Sequence, residues 1–521
     1  MKKYLKKAKN KYIPYFLIIL SIVIILVSYY IAEQINCSSF EQLLYTINTV
    51  EGASMQPVYE GALFVSIRLI AVVGLVLLIR YLVKRKVNIT FNNVYLELNK
   101  KRIKVFPFSR MFISVVVLLL SLIYVFYAFK FNEYLDSQFN KAEIFEKEYI
   151  DPRGVKITFP EKKRNLIYIY VESLENSALS TTHGGVEKTS YIPNLEKLAL
   201  ENTNFSNTQT IGGGYATYGS TWTIAGMISQ SAGIPLKVSA GKSNSYTSNN
   251  YMTGAYTLGD ILKENGYNNY FILGEESSFA GADAYYKQHG NYEIFDYNWA
   301  KKEKLIPEDY YEWWGFEDSK LFEFSKQKLL EISQNDEPFN FVMETMDTHF
   351  MDGYVDKSCK TKFKENYANA YYCTDQLLSS FIKWVKEQDF YENTTIIISG
   401  DHLTMRKGFF VSNDMSYQRT VYNVIINSAI EASYTKNRKF NTIDMYPTTI
   451  ASLGAEIEGD RLGLGTNLFS DKKTLIERTS LDYVESEFSK SSDFYNDKIL
   501  MDDYNSKSDV FGKEVTKNDN E

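Results

Sequence analysis

The chain has 521 residues, more than one ordinary domain needs, with 45 % hydrophobic residues and a formal net charge of −6. Its three cysteines exclude a disulfide framework, and the large C-terminal part carries no basic cluster of the kind nucleic acid requires. An average overall composition hides three long apolar runs, all within the first 130 residues.

The runs cover 16–32, 62–83 and 111–129, each close to the roughly 20 residues that cross a bilayer as a helix. Arg68 and Arg80 lie towards the ends of the second run, where long side chains reach the interface. Lys2, Lys3, Lys6, Lys7, Lys9 and Lys11 precede the first run, and a second basic cluster (Lys84, Arg85, Lys86 and 100–110) follows the second. The stretch from Glu33 to Glu60 has four glutamates and no Lys or Arg. The positive-inside rule then predicts a multi-pass protein of the cell membrane, with a cytoplasmic N-terminus and everything after about residue 131 outside. In that oxidising setting Cys359 and Cys373 are equally compatible with a bridge and with free thiols, and Cys37 has no counterpart.

Residues 1–130 therefore read as a membrane anchor and 131–160 as a helical connector. Residues 161–484 read as an extracytoplasmic α/β domain and 485–521 as a polar tail that packs little. Short apolar runs alternating with amphipathic stretches predict a mainly parallel sheet flanked by helices. Strands are expected at 166–171, 270–273, 339–343, 395–399 and 421–426, and helices at 192–199, 258–264, 318–332 and 367–388. The Gly-, Ser- and Thr-rich stretch 209–248 reads as a long active-site loop broken by one helix.

Ligands of open α/β sheets gather beyond the carboxyl ends of strands. RNLIYIYVES delivers Glu172 there, and TTIIISGDH delivers Asp401 and His402. Two carboxylates and an imidazole are an ordinary set for Zn²⁺ or Mn²⁺ with a position left open. In GGGYATYGSTWTIAGMISQSAGIPL a hydroxyl at the helix start meets unpaired N–H groups that favour phosphate. Thr221 and Thr223 both qualify as a nucleophile whose alkoxide a metal would stabilise, and either could instead be a plain N-cap. His349, in TMDTHF after another strand, is suited to hold a phosphate or protonate a leaving alkoxide. His289, in KQHG, suits a structural role better, and His183 reads as a loop residue.

Taken together, NLIYIYVESLENS, STWTIAGMISQSAGIPL, ETMDTHF, IIISGDH and NTIDMYPTTIASLGAEIEGDRLGLGTNLF resemble the lipoteichoic acid synthase and phosphoglycerol transferase family of the sulfatase and alkaline phosphatase superfamily. The resemblance spans roughly 145–470. It implies a metal site of Glu172, Thr223, Asp401 and His402, most often holding one Mn²⁺, with Mg²⁺ or Zn²⁺ as substitutes. It further implies Thr223 as the nucleophile and His349 as the substrate-phosphate histidine. Lipoteichoic acid synthases place a Trp and an Arg near the glycerol phosphate, where this chain reads SSFAGADAYYKQHG and has neither. That departure is closer to the glucan-modifying branch, in which FAG and an HG pair occur, and it adds His289 as a substrate-side candidate. The implied reaction moves phosphoglycerol from phosphatidylglycerol to an envelope polysaccharide or polyglycerolphosphate acceptor. A phosphoethanolamine transferase or another phospho-group transferase or hydrolase of the same superfamily, and a non-catalytic envelope binding protein, are the alternatives.

Overall fold

The computed structural model describes residues 2–34, 37, 39–48, 56–83, 87–89, 94–98, 101–106, 110–238, 246–247 and 250–500. The chain divides into two compact units, one of residues 1–43 and 54–135, the other of 44–53 and 136–521.

In the first unit, helices α1 (Lys2–Tyr29, continued by a π-helical turn over Tyr30–Gln34), α3 (Gln56–Val83) and α4 (Arg110–Ala128) contain stretches long and apolar enough to cross a membrane. These run over Tyr12–Glu33, Val58–Ile79 and Arg110–Ala128, within a few residues of the runs in the sequence. A short helix, α2 (Phe40–Asn48), lies between the first two in chain order and passes from one unit into the other. α1 packs on α4, and the small residues Ser21, Ser114 and Ser121 are fully buried on these two helices. Each returns its hydroxyl to a backbone carbonyl of its own helix, so helices can approach closely without stranding a polar group. Three strands not expected from the sequence (Val87–Ile89, Val94–Leu98 and Lys101–Phe106) pair antiparallel between α3 and α4.

The second unit is built on a six-stranded sheet. Its strands are β1 (Asn165–Val171), β2 (Asn268–Leu273), β3 (Glu293–Phe295), β4 (Phe339–Thr345), β5 (Thr394–Gly400) and β6 (Asn423–Ile426). They lie in the order β6-β5-β1-β4-β2-β3, all parallel except β6 against β5. β1 reads apolar throughout because both of its faces are covered: Ile167, Ile169 and Val171 point into one core, and Leu166, Tyr168 and Tyr170 into the other. Helices α5 (Pro193–Glu201), α6 (Thr223–Ala232) and α7 (Leu258–Glu264) fall between β1 and β2. α8 (Asp318–Ile332) precedes β4, and α9 (Asn366–Lys386) links β4 to β5. The register aligns Val171 with both Thr345 and Gly400, so β1, β4 and β5 end at one level. The short edge strand β3 was not expected, and β6 starts two residues later than anticipated.

Two boundaries differ from expectation. The stretch after Glu485 does not hang loose: helix α10 (Leu481–Ser489) and the residues up to Leu500 pack inwards, burying Phe488, Tyr495, Ile499 and Leu500. Their partner is the expected connector, where Phe145 is fully buried with its ring 5.6 Å from Phe488 and 5.1 Å from Tyr495. Glu487 also accepts the N–H groups of Glu143 and Ile144, at 2.9 and 3.2 Å. The remainder of the expected tail, 501–521, lies outside the described residues.

Cys359 and Cys373 form a disulfide that ties the β4–α9 loop to α9, with 14 residues of separation. Closing a loop of that size contributes about 3 kcal/mol. A Cys359→Ser, Cys373→Ser double variant is therefore expected to unfold at a lower denaturant midpoint, and an unchanged midpoint would mean that no bridge forms in solution.

Candidate active site

Strand ends deliver the charged groups. Glu172 follows β1, and Asp401 and His402 follow β5, all three fully buried. His402 Nε2 lies 3.5 Å from Glu172 Oε1 and 3.3 Å from Asp401 Oδ2. Among the described residues this is the one group of three metal-ligating side chains whose ligand atoms lie within 4.8 Å of one another.

Backbone contacts orient the three. Ser173, turned into the left-handed region at φ 56°, donates its N–H to Asp401 Oδ1 at 2.7 Å, and the His402 N–H does the same at 2.7 Å. Asp401 Oδ2 is buried without a partner. His402 Nδ1 is 2.7 Å from the Leu403 carbonyl, which can only accept, so Nδ1 carries the proton. Its Nε2 then offers a lone pair towards both carboxylates, which is the tautomer a metal requires.

The nucleophile candidate comes from α6. Its N-cap is Trp222, which leaves Thr223 at the first helical position rather than capping. The Thr223 hydroxyl donates to Glu172 Oε2 at 3.2 Å and lies 3.4 Å from His402 Nε2, whereas Thr221 is exposed to solvent. Gly226, one turn on, makes this approach possible. A Cβ there would come within 2.0 Å of the Asp401 carbonyl oxygen, so any other residue would push the helix off the strand end. Gln230, on the same face, donates to the Gly400 carbonyl and accepts from the Tyr168 hydroxyl, both at 2.9 Å.

His349 stands in the β4–α9 loop, with its ring 4.6 Å from that of Trp314. Thr348 donates to the Glu172 carbonyl at 2.5 Å and Tyr367 donates to the Thr348 carbonyl at 2.9 Å, which fixes the loop beside the carboxylates. Its Nδ1 faces the Phe350 carbonyl at 2.6 Å, leaving Nε2 for a ligand. Burial lowers the His349 pKa, and the Glu172 charge only partly offsets this.

The electrostatics call for a cation. Burial works against the Glu172 charge, but His402, His349 and the Ser173 hydroxyl outweigh it and hold that carboxyl below its usual range. Burial and then the Glu172 charge push Asp401 well above the carboxylate range. Two further acids, not singled out in the sequence, share the field. Glu344, in β4, is pushed well up by burial and by Glu275, and Glu275 is pushed up to about 8 by burial and Glu172. Each keeps one buried oxygen without a partner. Glu275 closely follows β2, and the reasoning that picked out Glu172 after its strand applies to it equally. With an orphaned Asp401 oxygen and a free imidazole lone pair, this donor set fits one divalent cation held by Glu172, Asp401, His402 and the Thr223 hydroxyl.

The structure does not bring His289 to this site. Its ring is 2 % exposed, with Nδ1 3.2 Å from Asp260 and Nε2 2.8 Å from the Tyr251 carbonyl, so both nitrogens serve the fold. His183 likewise faces Glu196, at 2.6 Å.

A family model described as Sulfatase matches residues 164–455. The chain belongs to the sulfatase family. It is 32 % identical over 322 residues to phosphoglycerol transferase I of Escherichia coli (strain 55989 / EAEC). The same identity and length hold for phosphoglycerol transferase I of Shigella boydii serotype 18. These matches cover 60 % of this chain, which spans 40 % of the length of those relatives. Among solved structures, the lipoteichoic acid synthase LtaP from Listeria monocytogenes aligns at a TM-score of 0.47 and 18 % identity, over 61 % of this chain and 79 % of LtaP. Streptococcus pyogenes phosphoglycerol transferase GacH in complex with sn-glycerol-1-phosphate aligns at 0.38 and 17 %, over 59 % of this chain and 77 % of GacH.

Proposed function

We propose that this sulfatase-family chain is a membrane-anchored phosphoglycerol transferase, with its N-terminus cytoplasmic and the sheet-bearing unit outside. The observation that carries the reading is the Thr223 hydroxyl, at a helix start and within 3.2 and 3.4 Å of Glu172 and His402. The phosphoglycerol transferase I relatives support the substrate class. Glu172, Asp401, His402 and Thr223 would hold the cation, with Mn²⁺ proposed. When bound, it would stabilise the threonine alkoxide and the charge that develops on phosphate.

In the first half-reaction Thr223 Oγ attacks the phosphorus of phosphatidylglycerol. The Oγ–P bond forms, the P–O bond to diacylglycerol breaks, and a glycerophospho-threonine remains. The first N–H groups of α6 face the same phosphate. An anionic phosphate beside His349 raises the pKa of its ring, which takes up, by way of solvent, the proton that Thr223 Oγ loses and donates it to the departing diacylglycerol alkoxide. In the second half-reaction a hydroxyl of an envelope polysaccharide or polyglycerolphosphate attacks the same phosphorus and Thr223 Oγ leaves. Neutral His349 then takes up the proton of that hydroxyl. A lipid donor accounts for membrane anchoring, since the headgroup is reached only at the bilayer surface.

The test uses the full chain in vesicles with Mn²⁺ and fluorescent phosphatidylglycerol. Release of labelled diacylglycerol, with a glycerophosphate mass adduct on the peptide containing Thr223, is expected. Turnover of phosphatidylethanolamine in its place would move the assignment to phosphoethanolamine transfer. Inactivity towards both lipids would favour a binding protein.

A further inference from the structure

The sheet-bearing unit includes residues 44–53, which lie far upstream of the region matched by the family and between the first two apolar runs. From this segment Tyr45, on α2, enters the core and is 2 % exposed. Its hydroxyl lies 2.5 Å from the Ala280 carbonyl and 2.6 Å from the Tyr251 hydroxyl. A carbonyl only accepts, so Tyr45 donates to Ala280 and Tyr251 donates to Tyr45. Tyr251 is itself fixed, since its N–H and carbonyl bond the Gln288 side-chain amide at 2.8 Å each.

Ala280 is the residue that needs such a restraint. It has φ 53° and ψ 13°, a left-handed conformation in a residue other than glycine, and Gly281 follows at φ 72°. The turn it forms continues the wall of the site. Phe279 stacks on Trp314 at 5.9 Å between ring centres, and Trp314 packs on His349 at 4.6 Å. On its other side the Tyr45 ring lies 6.1 Å from Trp222, the N-cap of the helix that presents Thr223.

We propose that Tyr45 is a positioning residue of the substrate site. It holds the Phe279–Gly281 turn in its left-handed form and thereby fixes Trp314 against His349. The inference rests on the phosphoglycerol transfer reading for its kinetic consequence and on geometry alone for the positioning. Tyr45→Phe keeps the ring and removes both hydrogen bonds of its hydroxyl. One of them, to the Ala280 carbonyl, restrains the turn, so the effect expected on the turn is that of one hydrogen bond, about tenfold.

The experiment compares full-length wild type, Tyr45→Phe and Tyr45→Ala in vesicles by two readouts. The first is amide exchange at Phe279, Gly281 and Asp283, whose N–H groups bond the carbonyls of Glu276, Ser278 and Ser277. Exchange there is expected to accelerate about tenfold in Tyr45→Phe and further in Tyr45→Ala, with β1 and β5 unaffected. The second is the steady state with phosphatidylglycerol, where KM is expected to rise about tenfold while kcat changes less than about threefold. Unchanged exchange in the turn would overturn the proposal, as would faster exchange across the whole sheet, or a faster turn without any change in KM. A wild type inactive on phosphatidylglycerol, with the exchange effect intact, would overturn the functional reading and leave the positioning role standing.

Discussion

Thr223→Ala is expected to lower phosphoglycerol transfer at least about 10³-fold, because it removes the atom that bonds phosphorus in the proposed reaction while leaving the surrounding charges in place. The fold should tolerate the change. Thr223 stands at the first helical position with its hydroxyl turned to Glu172 and His402 and not used as a cap, so alanine there costs the helix no capping bond. The melting temperature should stay within about 2 °C of wild type, a shift no larger than about 1 kcal/mol produces. Glu172 loses one donor but keeps the Ser173 hydroxyl. Thr223→Ser, which retains a hydroxyl at the same first-turn position, should recover part of the lost rate and form the same covalent adduct. Thr221→Ala should transfer at the wild-type rate, since Thr221 is exposed to solvent. A Thr223→Ala protein that keeps a tenth of the activity, or a Thr221→Ala protein that loses it, would remove Thr223 from the role of nucleophile.

What could be read from the sequence follows the range of the interactions involved. Glu172, Asp401 and His402 were legible because each follows a buried strand with an apolar centre, and parallel register alone brings such strand ends together. Residue types alone left Thr221 and Thr223 both open and the family resemblance favoured Thr223; the helix start at Thr223, with Trp222 in the N-cap position, is the local geometry that residue types did not show. His289 was drawn towards the substrate by its neighbours in FAGADAYYKQHG, but its partners are Asp260 and the Tyr251 carbonyl, 29 and 38 positions away, which no local pattern shows. The same holds for Phe488 and Tyr495. Set among charged and small polar residues they read as a tail, and they are buried only because Phe145, some 340 residues earlier, supplies the other half of the cluster. Tyr45 is the extreme case, since its contacts to Tyr251 and Ala280 span 206 and 235 positions.

Chelation should destabilise the sheet-bearing unit, and more so as pH rises. Glu275 is pushed up to about 8 by burial and then the Glu172 charge, and Asp318 to about 7 chiefly by burial. Both groups bind a proton more tightly folded than unfolded. Their contribution to stability is therefore complete below the ordinary carboxyl range of about 4 and is lost as pH climbs through 7 and 8. Metal-free protein should accordingly melt lower at pH 8.5 than at pH 6. A cation held by Glu172, Asp401 and His402 acts in the opposite sense, because it favours the ionised carboxylates and the unprotonated Nε2, and its affinity rises with pH. Added at 100 times its dissociation constant, Mn²⁺ should stabilise the unit by about 2.7 kcal/mol. At a fixed Mn²⁺ concentration the rise in melting temperature should thus be larger at pH 8.5 than at pH 6. Asp401→Asn tests whether the effect belongs to this site. It removes a ligand charge but keeps an acceptor for the Ser173 and His402 N–H groups, so the fold persists while the Mn²⁺-dependent shift disappears. Calorimetry of the full chain reads all of this. A Mn²⁺ shift equal at the two pH values, or one that survives Asp401→Asn, would mean that the cation binds elsewhere and that the orphaned Asp401 oxygen has another partner.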